Sequence, residues 1–506
     1  MLGFVKKFIT MYYLGIDLGS SSVKAALIES STGKSVGVSQ YPEQEMIILA
    51  EQSGWAEQDP NLWWENICKV TKKLLAKTGI ASSKIKGIGI AYQMHGMVIV
   101  DKNKEVLRPS IIWCDSRAVE IGNDTFYGVG EDKCISNLLN SPGNFTLSKL
   151  KWVKENEPEI FEKVDTLLLP GDFIALKLTG ETSTTISGLS EGIMWDFKQN
   201  KLADWLFDYM GISTDVIPTI VPTFSTQGNL TKKASKEIGL PKGIPLLYRA
   251  GDQPNNALSL NAFNRGEIAA TGGTSGVVYA ITDNTKTKES SRINNFAHVN
   301  YTREQPRIGK LLCINGSGIQ YSWMKQHVAA STDSYNDMNK LAKSIPVGSE
   351  GLRILPFGNG AERMLKSKNT GASVFNLNFN KHNKAHMLRA SLEGIAFSFV
   401  YGIDILKNDG VNLSTIRAGN DNLFRSEIFS NTIATIVETD INIIDTTGAI
   451  GAARAAGIST GDFKSLDEAF SDNDHVMTYH PLKNKKMYED SYQLWKQDLE
   501  NQYNKS

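Results

Sequence analysis

The chain has 506 residues, 41% hydrophobic and 21% charged, which is ordinary for a globular protein but too long for one typical core, so two large domains are expected. Its 54 Lys and Arg are matched by 54 Asp and Glu, and nothing in the net charge draws it to nucleic acid or to an anionic membrane. Cys68, Cys114, Cys134 and Cys313 form no CxxC pair, and no apolar run approaches the roughly 20 residues that span a bilayer, so neither a structural zinc site, a disulfide framework nor a membrane span is expected, and a reducing cytoplasm is.

The first ten residues, MLGFVKKFIT, lack the long apolar stretch and cleavage site of a signal peptide; they read as an extension before the first strand and are expected to be dispensable. In residues 12–27, Leu14, Ile16 and Leu18 alternate with Tyr13, Gly15 and Asp17, and Val23, Ala25 and Leu27 follow in step. Gly19, Ser20, Ser21 and Ser22 lie between the two runs, and period-two alternation around small residues predicts a β-hairpin. Asp17 is the odd residue, because an acid in an apolar strand is costly unless paired, hydrogen-bonded or near a cation. Two readings fit it: a turn-capping carboxylate, or the metal-side acid of a phosphate cradle built from the turn's N–H groups and hydroxyls.

A third strand is predicted over 35–40. A helix follows, opening at Asp59-Pro60 with Leu62, Trp63, Ile67, Val70 and Leu74 on one face. Residues 85–91 predict a strand ending in the polar corner Gln93-Met94-His95-Gly96, and residues 97–100 lead into another turn at 101–104. The order β-β-β-α-β-α implies α/β layering. Residues 145–160 predict an amphipathic helix stopped by Pro158, and GDFIALKLTGE predicts a helix ended by Gly180. The Ser/Thr-rich stretch 182–188 and Pro218, Pro222, Pro241 and Pro245 then mark a loop-rich region.

Near residue 246 a second strand–turn–strand unit is expected to begin, its apolar run leading to Arg249-Ala250-Gly251-Asp252, and residues 267–280 then repeat the opening pattern. There two β-runs flank Gly272, Gly273, Thr274, Ser275 and Gly276. The repeat suggests two domains on one plan, residues 1–258 and 259–506. Leu388, Leu392, Ile395, Phe399, Ile403 and Leu406 predict a long helix. A strand over 415–417 runs into Ala418-Gly419-Asn420-Asp421-Asn422, followed by a helix carrying Ile428, Phe429, Ile433 and Ile436. A strand over 441–444, a small-residue helix over 449–456 and a surface helix in the last 30 or so residues complete the reading.

Two glycine turns, each with an acid nearby, suggest phosphate binding. No GxxxxGK[ST] loop is present, and the glycines do not fit GxGxxG before a helix. Both turns join strand to strand, which is the setting of the actin-like ATPases. The order and spacing of GIDLGSSSVK, GWAEQDPNLWW, IKGIGIAYQMHG, LRPSIIWCDSRA, the Gly251-Asp252 corner and GGTSG resemble the FGGY carbohydrate kinase family. TLSKLKWVKEN and HMLRASLEG look like its two signatures, the first with Asn144 where a glycine, serine or aromatic is usual. QMHG with WAEQDP upstream looks most like the xylulokinase branch.

The resemblance implies an α/β fold of two actin-like (ribonuclease H-like) ATPase domains with a central cleft, sugar mainly on the first and nucleotide mainly on the second. It implies ATP as phosphoryl donor, Mg2+, and a sugar substrate: D-xylulose first, then gluconate, ribulose, ribitol or fuculose. A non-catalytic actin-like ATP-binding sensor is the alternative of another class. Asp252 matches the general base and Asp17 the metal-side acid. Gly19, Ser20, Ser21 and Ser22 match one phosphate loop, and Gly273, Thr274, Ser275 and Gly276 the other. Met94, His95 and Gly96 match the sugar corner. Trp113 and Asp115 follow it, an aromatic to cover a sugar face and an acid to accept from hydroxyls, although Trp113 fits a core position equally well. Gln253 stands where asparagine is usual, Cys114 replaces the asparagine of Trp-Asn-Asp, and Gly419, Asn420 and Asn422 take the nucleoside position where a glycine triplet is common. A cytoplasmic enzyme without nucleic-acid or membrane partners is expected, with a homodimer as a candidate assembly.

Overall fold

A computed structural model describes residues 10–330, 332–470 and 474–505; all but the last of the ten residues expected to be dispensable lie outside them. The chain forms two compact units. The first comprises residues 1–261, 296–305 and 447–473, the second residues 262–295, 306–446 and 474–506.

In the first unit, β1 (Tyr12–Leu18), β2 (Val23–Glu29) and β3 (Ser35–Tyr41) form an antiparallel meander. β4 (Ile85–Tyr92) and β5 (Leu246–Gly251) extend it on the other side as parallel strands, in the order β5-β4-β1-β2-β3. The hairpin register ends at Leu18 opposite Val23, leaving residues 19–22 as the turn, closed by Gly19 N–H to the Ser22 carbonyl. The helix Pro60–Thr78 begins as expected, with Asp59 accepting from Asn61 N–H and proline in the first turn, and ends at Gly79 in the left-handed region. Trp63, Ile67, Val70 and Leu74 bury its apolar face, each worth about 1.5–3 kcal/mol relative to exposure.

Helix Gly448–Ser459 packs on β1 and β4 with its backbone almost in contact with theirs. A Cβ on Gly15 would lie 1.8 Å from the Ala449 carbonyl oxygen, and one on Gly89 2.0 Å from that of Ala452. Only glycine in the strands and small residues on the helix permit this approach.

The second unit repeats the plan. β6 (Glu267–Gly272), β7 (Gly276–Thr282) and β8 (Ile308–Ile314) are an antiparallel meander, and β9 (Thr415–Gly419) and β10 (Ile441–Ile444) run parallel to β6 on its far side. β11 (His475–Tyr479) adds an antiparallel strand beyond β10. The long helix spans Lys384–Asn408, and all six residues of its predicted stripe are buried.

Four predicted elements need correction. The helix expected over 145–160 is Thr146–Asn156, and Pro158 opens a separate turn, Pro158–Phe161. A residue before proline is disfavoured in helical geometry, and Glu157 leaves it at φ −133°, ψ 56°. Within the stretch 182–188, Thr185 caps a short helix, Ile186–Glu191, by accepting from Gly188 N–H. Asp252 begins a helix, Asp252–Ser259, in place of a strand–turn–strand unit. The C-terminal helix Lys485–Tyr503 is not a surface appendage: Tyr488, Tyr492, Trp495 and Leu499, at helical spacing, are buried, and Trp495 donates to the Ile354 carbonyl at 2.8 Å.

Candidate active site

In the first unit β1, β4 and β5 lie side by side and parallel, and their register puts Asp17 beside Ala91 and Gly251 beside Tyr92. The glycine-serine turn, the Gln93-Met94-His95-Gly96 corner and Asp252 therefore all leave the sheet at one edge, the carboxyl end of the strands. In α/β sheets this is where ligands bind.

Asp252 opens its helix, where the N-terminal dipole favours a carboxylate. Burial pushes its carboxyl up to about 7, the Asp17 charge adds to this, and the Gln253 backbone and side-chain amides oppose it. Burial also raises Asp17, with Lys24, its partner across the hairpin, opposing. Gly251 lets Asp252 approach the corner, since a Cβ there would stand 2.6 Å from Met94 Cγ and 3.3 Å from Glu191 Oε1.

His95 is held in the left-handed region at φ 62°, uncommon for a residue with a Cβ. Its backbone N–H donates to Glu191 Oε2 at 3.1 Å, and its carbonyl accepts from Lys149 Nζ at 2.7 Å. Its ring Nδ1 lies 3.0 Å from the Glu191 carbonyl; a carbonyl only accepts, so Nδ1 carries the proton. Phe145 meets the ring edge-on at 4.8 Å and Phe296 lies against it at 5.2 Å. Lys149 is fully buried, which brings its amine down to about 7 against the pull of Asp115, and it also donates to the Ile112 carbonyl at 2.9 Å. Glu191 is buried too, and burial holds its carboxyl well above the usual range, with Tyr92 and the His95 N–H opposing.

Sequence reading missed Glu191 and Lys149. The available signals were a single charge in the otherwise uncharged stretch 182–195 and a lysine on the apolar face of TLSKLKWV.

Trp113 is 53% exposed and is not a core residue; its indole N–H donates to Ser20 Oγ at 3.3 Å. The turn is braced on its backbone by Gln58 Nε2 to the Ser20 carbonyl (2.7 Å) and Met46 N–H to that of Ser21 (2.8 Å). Asp115, expected to accept from sugar hydroxyls, instead accepts from Ala56 N–H at 2.6 Å and from the Arg117 backbone and guanidinium at 2.7–3.0 Å. The Arg117 guanidinium in turn stacks on Trp55 at 3.8 Å. Asp115 thus anchors the segment that presents Trp113. Gly96 is pressed against Pro170, and Met94 is buried.

In the second unit the turn between β6 and β7 borders a cavity of about 430 Å³. Gly273, Thr274, Tyr321, Tyr335, Asn422 and Arg425 are among the residues that line it. The Tyr321 and Tyr335 rings stack at 5.8 Å, and the Tyr321 hydroxyl donates to Asn339 Oδ1 at 2.9 Å. An aromatic wall beside a glycine turn suits a planar base linked to phosphate. Asn422, at φ 49°, borders the cavity, whereas Gly419 and Asn420 do not, and the Asn420 N–H is bonded to the Ile444 carbonyl. Tyr321 and Tyr335 had escaped sequence reading because fourteen residues separate them and only the fold stacks them.

Comparison with known families decides the class. The N-terminal domain of the FGGY family of carbohydrate kinases matches residues 12–259, and its C-terminal domain matches residues 268–460. The chain belongs to the FGGY family of carbohydrate kinases. As an FGGY kinase it is similar to the xylulose kinase of Bacillus subtilis (strain 168), 26% identical over 503 residues and 96% of each chain. The xylulose kinase of Escherichia coli (strain K12) is 28% identical over 464 residues, 90% of this chain and 92% of that one. The solved xylulose kinase of Rhodospirillum rubrum superposes with a TM-score of 0.86 at 24% identity, covering 96% and 97% of the two chains. That likeness gives the fold, an actin-like ATPase architecture. Among the described residues no helix of this FGGY kinase is long and apolar enough to cross a membrane.

Proposed function

We propose that this kinase transfers the γ-phosphoryl group of ATP to the 5-hydroxyl of D-xylulose, with Asp252 as general base. Residues 1–258 supply mainly the sugar site together with the first phosphate turn, and residues 259–506 mainly the nucleotide site. Asp252 carries the reading. A base works best when its pKa lies near the operating pH, and burial together with Asp17 brings this carboxyl to about 7. A sugar hydroxyl is a poor nucleophile, and a carboxylate within hydrogen-bond reach takes its proton as phosphoryl transfer proceeds.

The residues around Asp17 fit Mg2+. Burial raises both Asp17 and Asp252, and the Asp17 charge raises Asp252 further; a cation would relieve this cost. Asn255 Oδ1 is buried without a hydrogen-bond partner among the described residues, and its Nδ2 donates to the Gly448 carbonyl, at the glycine whose Cβ would touch Asp17. Mg2+ commonly keeps several waters and leans on phosphate oxygens as well as on one or two carboxylates. Asp17, directly or through water, would hold it, and the ion would supply charge neutralisation on the phosphates.

The serine-rich turn and Gly273-Thr274-Ser275-Gly276 serve as phosphate loops. His95, fixed from both sides by Glu191 and Lys149, and the exposed Trp113 contact the sugar. Gln253 beside the base and Cys114 distinguish this corner. The names of the relatives at 26% and 28% identity support D-xylulose. A panel of ketoses, polyols and sugar acids in an ADP-release assay tests this. D-xylulose is expected to give the highest kcat/KM. Another sugar better by about tenfold, roughly 1.4 kcal/mol of transition-state binding, overturns the substrate. Sugar and ATP binding without any phosphorylated product would favour a sensor.

A further inference from the structure

We propose that Glu362 is a positioning residue for ATP, acting through the loop that supports the second phosphate turn; this rests on the phosphate-loop reading of residues 273–276. Glu362 lies 46 residues beyond that loop in sequence and is fully buried. Its two carboxylate oxygens are divided between consecutive backbone donors, Asn315 N–H to Oε2 at 3.0 Å and Gly316 N–H to Oε1 at 2.6 Å. The Asn315 side chain adds a bond to the Ala361 carbonyl at 2.8 Å. Glu362 is itself fixed by its main chain, its N–H to the Lys368 carbonyl and its carbonyl accepting from Leu365 and Ser367.

The loop passes this grip directly to the glycine turn. Gly318 N–H donates to the Gly273 carbonyl at 3.1 Å and Ile319 N–H to that of Thr274 at 2.9 Å. These are the first donors of the helix Gly318–His327, and in place of water they hold the turn's carbonyls. There is no slack between the two ends. A Cβ on Gly316 would stand 2.4 Å from the Pro356 carbonyl oxygen, and one on Gly318 2.3 Å from that of Gly273. Gly273 and Thr274 present their own N–H groups only if their carbonyls stay turned toward residues 318 and 319. Glu362 fixes where those residues sit. It touches no substrate, so its effect falls on nucleotide binding.

Glu362→Gln tests the role, because the new NH2 faces a backbone N–H and one bond becomes a donor–donor clash. The KM for ATP and the ADP dissociation constant are expected to rise about tenfold, the cost of one buried unsatisfied donor, with the KM for sugar unchanged within about twofold. Glu362→Asp, which keeps the charge but falls short by one methylene, should show the same split less strongly. Glu393→Gln is the control: that buried carboxylate accepts from Gly348 N–H and pairs with Arg389, away from the loop, and should leave the ATP parameters unchanged. Equal losses for ATP and sugar, no loss for either, or failure of both Glu362 variants to fold would each overturn the positioning role. If the wild-type chain binds neither ATP nor ADP, the phosphate-loop reading itself falls, which is a separate result.

Discussion

Asp252 is an acid whose surroundings do most of its work. Its carboxyl, at about 7 through burial and the neighbouring Asp17, must lose its proton before it can accept one from a hydroxyl. If Asp252 is the base as proposed, activity should be low on the acid side: kcat/KM for sugar should climb as pH rises through about 7 and level off above it. A pH-rate series from about 5.5 to 8.5 measures this, and a flat profile would exclude Asp252 as the titrating base. The acids at strand ends, Asp17 and Asp252, were legible because a carboxylate in an apolar run is conspicuous in sequence. Glu191 and Glu362 were not. Their partners, the His95 N–H and the Asn315 and Gly316 N–H groups, are brought to them only by folding, and a buried acid satisfied by backbone leaves no spacing to read.

Among elements, the hairpins were legible to within a residue or two, since alternation and turn residues act locally. The cavity of the second unit was not, because its aromatic wall joins separate helices. Nor was the role of helix Gly448–Ser459, which had only its small residues to announce it. Those residues answer Gly15 and Gly89 in the sheet across several hundred positions of sequence. Gly15→Ala should therefore be costly: the new Cβ meets backbone, 1.8 Å from the Ala449 carbonyl oxygen and 2.6 Å from the Ala453 nitrogen, which cannot swing aside as a side chain would. The expected loss is about 3 kcal/mol, at the upper end for overpacking, seen as a lower urea midpoint by circular dichroism. Since Asp17 lies two residues along the same strand, kcat should fall with it. An unchanged midpoint would mean that the helix is not seated on this strand. The C-terminal helix taught the same lesson in reverse, its aromatic stripe being read as surface when Trp495 is wholly buried.

For the whole molecule, two sheets of one plan carry different chemistry. The first unit gathers Asp17, His95 and Asp252 at the ends of parallel strands, whereas the second offers a glycine turn and a stacked tyrosine pair. The family match over residues 12–259 and 268–460 makes both halves parts of a carbohydrate kinase, and the proposed division of labour makes their functions separable by mutation. Asp252→Asn is the most direct test. It keeps the shape of the side chain and removes the proton acceptor. The account predicts that phosphorylated sugar formation falls by about 10²–10⁴-fold, the range for a lost general base, while ADP binding by calorimetry stays at the wild-type value. Wild-type kcat in that variant would contradict it.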